Sequence, residues 1–276
     1  MKKNRFVSKI FTYTLLAIML IFALFPVYWM LVTSIKPMGE IYTINPSLWP
    51  KQITFSGYKY LFEKTKILEW TFNSGLVSVV TAFITMLFSI PAAYGLARFN
   101  FKGRNLIGNS ILVTYLLPQT IIFIPIYIII NRIGLSDSLW GVLLIYPSTT
   151  IPYATWVLTS YFNTISRDFD EAALIDGCSR LQVMQYVTIP LAAPGIVSTL
   201  IFSFTLCWSE YLYALVILNG VNQTLPLGLS GLLVGDIPRW NTIMGGAIIA
   251  TIPIIILYTL ASKYIVSGLT LGGVKG

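Results

Sequence analysis

Residues 163–190 read Asn-Thr-Ile-Ser-Arg-Asp-Phe-Asp-Glu-Ala-Ala-Leu-Ile-Asp-Gly-Cys-Ser-Arg-Leu-Gln-Val-Met-Gln-Tyr-Val-Thr-Ile-Pro, a polar stretch in an otherwise apolar neighbourhood. Before it, no charged residue occurs between Asp137 and Arg167, and after it none occurs between Arg180 and Glu210. A bilayer core of about 30 Å takes about 20 apolar residues as a helix, so each gap is long enough to span it. The stretch is therefore a connection between two membrane helices. Working outward, further uncharged gaps run from Lys9 to Lys36, Glu69 to Arg98, Arg104 to Arg132 and Arg239 to Lys263.

Composition agrees. Of the 276 residues, 56% are apolar and only 10% charged, and mean hydropathy is +0.77, so lipid rather than water covers much of the chain. The net charge of +8 comes from residues at the ends of apolar runs, which argues against a nucleic-acid partner. The chain has no histidine and therefore lacks the commonest metal ligand and general base. Cys178 lies in the polar connection and Cys207 in an apolar run, a placement that argues against a disulfide framework.

These gaps predict an all-α integral membrane protein with six transmembrane helices, over residues 10–34, 70–97, 106–131, 139–162, 191–218 and 242–265. The whole chain, 1–276, reads as a single transmembrane domain with a 36–69 loop rich in Pro, Trp, Tyr and Lys. The gap from Glu210 to Asp236 is broken by Asn219, Gly220, Asn222, Gln223, Pro226 and Gly228, and its second half reads as a loop re-entering or lying on the membrane. With the amino terminus cytoplasmic, eleven Lys and Arg fall inside and seven outside, five of the seven in the 36–69 loop. Such residues translocate poorly from short loops, so both termini are expected in the cytoplasm and the 36–69 loop outside. The basic start, Lys2, Lys3 and Arg5, also resembles a signal peptide, but its apolar run is long and no small-x-small site follows, which favours a retained helix.

Within 163–190, Asp168 or Asp170 can cap a first helix and Gly177 can end it in a left-handed conformation. Ser179 and Gln182 have the spacing of a capping box opening a second helix, with Leu181, Met184 and Val187 along one face before Pro190. Such a knuckle offers Ala172 and Ala173 for close approach and Glu171 for a cation across a contact. It fits either a socketed joint with another protein or an amphipathic pair resting on lipid.

The segment resembles the signature of binding-protein-dependent ABC importer permeases: Glu171-Ala172-Ala173, Gly177, then Val187-Thr188-Ile189-Pro190, with Val187 and Ile189 as conservative departures. The resemblance extends to the carbohydrate-uptake, maltose-transporter-like branch. It does so through Phe25-Pro26-Val27-Tyr28-Trp29, Ser34-Ile35-Lys36-Pro37, Ala92-Ala93-Tyr94-Gly95-Leu96-Ala97-Arg98, Pro118-Gln119, Trp208-Ser209-Glu210-Tyr211 and the tail from Gly268 to Gly276. It implies a type I importer permease whose 163–190 segment holds a coupling helix, with Glu171, Ala172, Ala173, Leu174, Asp176 and Gly177 docking on a cytoplasmic ATPase and Lys275 in a tail that could touch it. It also implies a second homologous permease, two ATPase subunits, an extracytoplasmic solute-binding protein and a bacterial or archaeal cell membrane as setting.

No Gly-x-x-x-x-Gly-Lys-Ser/Thr loop occurs, so the chain lacks a phosphate cradle. ATP and Mg are expected on the partner ATPases, and no cofactor or metal on this chain. Glu210 is the only charged residue well inside an expected span, and burial in hydrocarbon is costly enough that it must face protein or water. With Asn73, Gln119, Trp208 and Tyr211 it forms a candidate substrate pathway or gate for sugar hydroxyls and rings; the competing reading pairs Glu210 with a partner subunit. Pro118, Pro125, Pro147 and Pro152 are either kinks at a gate or prolines tolerated in ordinary packing.

Two other functions remain. An ion-gradient-driven secondary transporter or channel calls for several intramembrane ionisable groups, and only Glu210 is present. A membrane enzyme calls for a paired catalytic set, and none is found in the sequence.

Overall fold

The computed structural model describes the backbone of residues 2–273 apart from 219, 235 and 236, and the side chains of residues 9–262 apart from those three and Gln119. Among the described residues the secondary structure is helical throughout. The chain begins with α1 (Lys2–Ser34), α2 (Met38–Ile41), α3 (Ser56–Lys64), α4 (Ile67–Arg98), α5 (Arg104–Leu116), α6 (Gln119–Arg132) and α7 (Leu139–Phe162). It continues through α8 (Asp168–Ile175), α9 (Arg180–Val183), a π-helical turn over Met184–Thr188, α10 (Ile189–Leu191), α11 (Ala193–Trp208), α12 (Leu212–Ile217), α13 (Leu225–Gly231) and α14 (Trp240–Gly273). The chain divides into two compact units, residues 1–67 with 229–252 and residues 68–228 with 253–276.

Among the described residues, three helical stretches are singly long and apolar enough to cross a membrane: Lys9–Ser34, Ile67–Arg98 and Trp240–Ser262. They agree with three of the expected spans. Two others differ from expectation. Residues 106–131 are not one rod but α5 and α6, bent by 92° where Pro118 denies the helix a backbone N–H. Residues 191–218 break after Trp208, and α11 is itself bent by 80° from the Arg180–Leu191 helix that precedes it. Helix α7 is long enough but carries Ser148, Thr149, Thr150, Thr155, Thr159 and Ser160, and is less apolar than the three single spans. Its buried face, Val142, Tyr146, Thr150, Ala154, Leu158 and Phe162, meets protein, so it does not need a lipid-like surface all round.

Of the four prolines singled out, only Pro118 coincides with a break; Pro125, Pro147 and Pro152 lie inside continuous helices. Around the two in α7, the hydroxyls of Ser148, Thr149 and Thr150 bond back to the carbonyls of Ile145 and Tyr146 within the same helix.

The unit formed by 1–67 and 229–252 is organised by the 36–69 segment. Asn241 Nδ2 donates to the Lys36 carbonyl at 3.2 Å and to Ser56 Oγ at 3.3 Å. The Lys36 ammonium donates to the Ser47 carbonyl and lies 4.9 Å from the Trp29 ring centre. Glu40 accepts from the Ser47 hydroxyl at 2.5 Å and from the Lys51 backbone N–H at 3.0 Å, and these donors hold its carboxyl below the usual range. Gly57 packs directly on the backbone of Asn241: a Cβ added there would lie 2.8 Å from that residue's carbonyl carbon and oxygen.

In the other unit one face of α4 is a buried line of Ser74, Ser78, Thr81, Thr85 and Ser89. The Thr85 and Thr150 hydroxyls share a 2.6 Å hydrogen bond, and Ser89 donates to the Ile151 carbonyl at 3.3 Å, which fixes α4 against α7. The core around Val77, Ile130, Val142, Ile145, Tyr146 and Ile217 joins α4, α6, α7 and α12. A second core of Met86, Ala93, Tyr94, Ala154, Leu158 and Phe162 sits between α4 and α7.

Backbone atoms cannot swing aside as a side-chain tip can, so Gly57→Val should cost about 1–3 kcal/mol by overpacking. Thermal unfolding in detergent should show a lower midpoint than wild type, and an unchanged midpoint would mean the contact is not tight in solution.

Candidate functional site

The 163–190 segment folds as the knuckle its local signals announce, with two corrections. Gly177 has φ +89°, the left-handed value that ends α8. Cys178 N donates to the Ala173 carbonyl at 3.0 Å and Gly177 N to the Leu174 carbonyl at 3.1 Å, a Schellman closure. Ser179 and Gln182 form the capping box that starts α9.

The first correction concerns Asp168 and Asp170. Neither caps α8: Arg167 holds the N-cap position without a side-chain bond, and both acids lie in the first turn. Asp168 accepts from the Ser166 hydroxyl at 2.8 Å. Asp170 turns inward, where its Oδ2 lies 2.6 Å from Arg98 Nε, with the two side chains 5% and 3% exposed. The contact is ionic, the Nε–H not being aligned on that oxygen as a hydrogen bond. Thr188 in the π turn donates to Asp170 Oδ1 at 3.2 Å. Removing one partner of such a pair strands a buried charge, at a cost of about 3–5 kcal/mol.

The second correction concerns the face of the following helix. Leu181 is exposed, and the buried positions are Val183 and Thr188, with Met184 and Val187 half-buried. Of the expected docking residues, Glu171, Ala172, Asp176 and Gly177 are exposed, Leu174 is half-buried and Ala173 is buried in the chain's own core. Only one of the two alanines is therefore open to another surface. Phe169, 54% exposed, and Ile175, 87% exposed, flank it as the large apolar groups of that face. Lys275 lies outside the described residues.

The candidate pathway residues separate. Asn73 donates to the Gln223 carbonyl at 3.0 Å and, next to it, Ser74 accepts from Leu225 N at 2.7 Å. These two pin the start of α13 rather than face a cavity. Trp208 is buried, stacked on Phe204 with ring centres 5.7 Å apart and seated against Gly75. The side chain of Gln119 lies outside the described residues. Glu210 and Tyr211 are brought together at a cavity of about 410 Å³, with Tyr115, Thr149, Phe202, Thr205 and Ser209 among its walls.

Glu210 sits where the chain breaks between α11 and α12. Its Oε1 accepts from Tyr213 N at 2.9 Å, and its Oε2 accepts from Ala214 N at 3.2 Å and from the Tyr146 hydroxyl at 2.7 Å. The carboxylate thus supplies the acceptors that the missing turn would have given to the first N–H groups of α12. The far end of α12 is held by Asp137, whose N–H donates to the Ile217 carbonyl at 2.8 Å and whose Oδ1 accepts from Gly220 N at 3.0 Å. Sequence reading missed Tyr146, 64 positions from Glu210; a hydroxyl in the middle of an apolar run was the only available signal.

A hydrogen bond to a charged group is worth about 1.5–3 kcal/mol, so Tyr146→Phe should lower the thermal midpoint in detergent, and Glu210→Ala, which frees three donors, should lower it further. Equal midpoints for the two variants and wild type would contradict this geometry.

Comparison with known proteins places this arrangement. Residues 85–270 match the family model described as binding-protein-dependent transport system inner membrane component. The chain is 36% identical over 276 residues to the inner membrane ABC transporter permease protein YcjP of Escherichia coli (strain K12), covering 99% of each chain. It is 35% identical to the sulfoquinovosyl glycerol transport system permease protein SmoH of Agrobacterium fabrum (strain C58 / ATCC 33970), covering 94% of this chain and 92% of that one. Among solved structures, a bacterial ABC transporter involved in the import of the acidic polysaccharide alginate contains a chain that aligns with TM-score 0.76 at 25% identity, over 94% of this chain and 96% of that one. A multi-pass membrane chain with this fold and these relatives belongs to the binding-protein-dependent transport system inner membrane component family, as a permease of the ABC transporter type.

Proposed function

We propose that the protein is one of two permease subunits of an ATP-driven importer for a sugar or oligosaccharide delivered by an extracytoplasmic binding protein. The observation that carries this reading is the knuckle. It presents Phe169, Ala172 and Ile175 outward beside Glu171, while its opposite face is locked to the chain through Asp170. An apolar facet of this kind beside a free carboxylate suits a cleft in a protein that offers apolar contact and a cation. The partner is a cytoplasmic ATPase carrying ATP and Mg, with a second copy on the sister permease. ATPase closure then moves the knuckle and shifts the helices between two arrangements.

The cargo class follows from the cavity at Glu210. Tyr115, Phe202 and Tyr211 offer ring faces, and Thr149, Thr205 and Ser209 offer hydroxyls, a lining suited to sugar rings and their hydroxyl groups. The glycoside and polysaccharide cargoes in the names of the relatives point the same way. Because Glu210 already accepts three hydrogen bonds within the chain, its first task in this reading is to hold the gate-forming break, and Tyr211 is the better candidate for cargo contact.

In this reading six crossings put both termini on one side together with the knuckle, and the excess of Lys and Arg on that side makes it the cytoplasm, with the 36–69 segment outside. In this count the bent pair α5 and α6 makes the third crossing, α7 the fourth, and α11 with α12 the fifth. Glu171→Lys, and Gly177→Asp at a left-handed backbone position, should each leave membrane insertion intact and lose uptake coupled to ATP hydrolysis. Reconstitution with the operon partners and a panel of sugars, scored by ATPase stimulation, identifies the cargo. Normal uptake and normal ATPase stimulation in both variants would remove the knuckle from the mechanism.

A further inference from the structure

The knuckle is fastened along the chain to the helices before and after it, as any connection is. What the sequence does not announce is how strongly it is fastened to a third, the end of α4. Arg98, the last residue of α4, makes the buried ion pair with Asp170 and also donates through Nη2 to the Ile165 carbonyl at 3.1 Å. From the other direction, Arg167 donates to the Ala97 carbonyl at 3.1 Å. Arg180, at the start of α9, lies over the Phe99 ring at 5.9 Å. The remaining oxygen of Asp170 takes the hydroxyl of Thr188 in the π turn.

The carboxylate is thus a node. One oxygen holds the end of α4 and the other holds the entry to α11, while its backbone belongs to the facet that faces outward. A buried ion pair is poor evidence for stability, since an apolar pair of similar volume would serve at least as well. It does impose a fixed geometry, because each charge has one matched position and a displaced one is left unpaired in an apolar setting. The π turn adds to this: an i to i+5 turn is a weak, adjustable piece of helix, and here the Thr188 hydroxyl sets it against the knuckle.

We infer that Asp170 and Arg98, with Thr188, are the positioning residues that make the knuckle, the end of α4 and the entry to α11 move as one body during the transport cycle. This rests on the function proposed above and adds the path of the motion. The displacement delivered to the knuckle is carried directly into α4, whose hydroxyl face packs on α7, rather than only along the chain into α7 and α11.

The test is a distance measured in the assembled complex. Spin labels are placed at Lys102 and Gln185, both exposed, in a background with Cys178 and Cys207 replaced. Complexes purified through a tagged ATPase subunit are examined by pulsed electron spectroscopy with ADP and with ATP plus vanadate. The unsubstituted pair should give one narrow distance that is the same in both nucleotide states. Asp170→Asn and Arg98→Gln should broaden that distance and make it differ between states. They should also lower the ATPase rate stimulated by loaded binding protein relative to the basal rate. Thr188→Val, which keeps the volume and removes only the hydroxyl, should broaden it less, and it keeps the test decisive if the charge variants assemble poorly.

The inference is overturned if the variants, Thr188→Val included, keep the narrow, state-independent distance, or if the unsubstituted complex itself shows a shift. A wild-type complex that hydrolyses no ATP defeats the functional proposal instead, which separates the two failures.

Discussion

A carboxylate or a backbone N–H withdrawn from water is tolerable only against a matched partner, and this chain places acids where its helices stop being continuous. Glu210 closes the break ahead of α12, Asp137 holds the far end of that helix, and Asp170 anchors the knuckle between α7 and α11. The chain contains only ten Asp and Glu, so three of them at breaks is a large commitment of a scarce residue type. Interrupted helices in an apolar protein expose donors that no solvent reaches, and without these acids the breaks would close up or melt.

The same economy explains how the site combines rigidity with movement. The apolar cores between α4, α7 and α12 supply most of the cohesion, but packed apolar faces are interchangeable and specify position weakly. Position is specified by the polar joints and by the hydroxyl contacts between α4 and α7. The knuckle therefore has two faces with opposite chemistry: inward, a charge pair and a hydroxyl that fix it to its own chain, and outward, apolar groups with Glu171 that suit a separate protein. A part of this construction suits force transmission better than ligand binding, in keeping with a permease whose energy is supplied elsewhere.

Local signals were legible in the sequence, while partnerships at a distance were not. The uncharged gaps located α1, α4, α7 and α14 because lipid demands them of consecutive residues. Gly177 and the Ser179–Gln182 box were readable because a turn and a cap are decided within four residues. Asp170 is ambiguous in one dimension, where an acid in the first turn of a helix looks like a cap; only the fold brings Arg98 beside it. Leu181 faces out although α-helical spacing puts it with Met184 and Val187, because the π turn shifts the helical phase after Val183.

The residues of the candidate pathway follow the same division. Glu210 and Tyr211 share a cavity, whereas Asn73 bonds the segment entering α13 and Trp208 stacks on Phe204, contacts that residue type alone does not announce. The break after Trp208 is not legible because neither Ser209 nor Glu210 is a helix breaker by residue type, and it takes Tyr146 from α7 to complete the partners of Glu210.

In the function proposed, this polypeptide converts work done by another protein and has no drive of its own. Uptake into proteoliposomes tests it most directly, comparing the purified chain alone, with and without an ion gradient, against the chain assembled with its sister permease, ATPase and loaded binding protein. Accumulation is expected only in the full assembly and only with ATP inside the cytoplasmic compartment. Accumulation by the chain alone, driven by an ion gradient and indifferent to ATP, would contradict it.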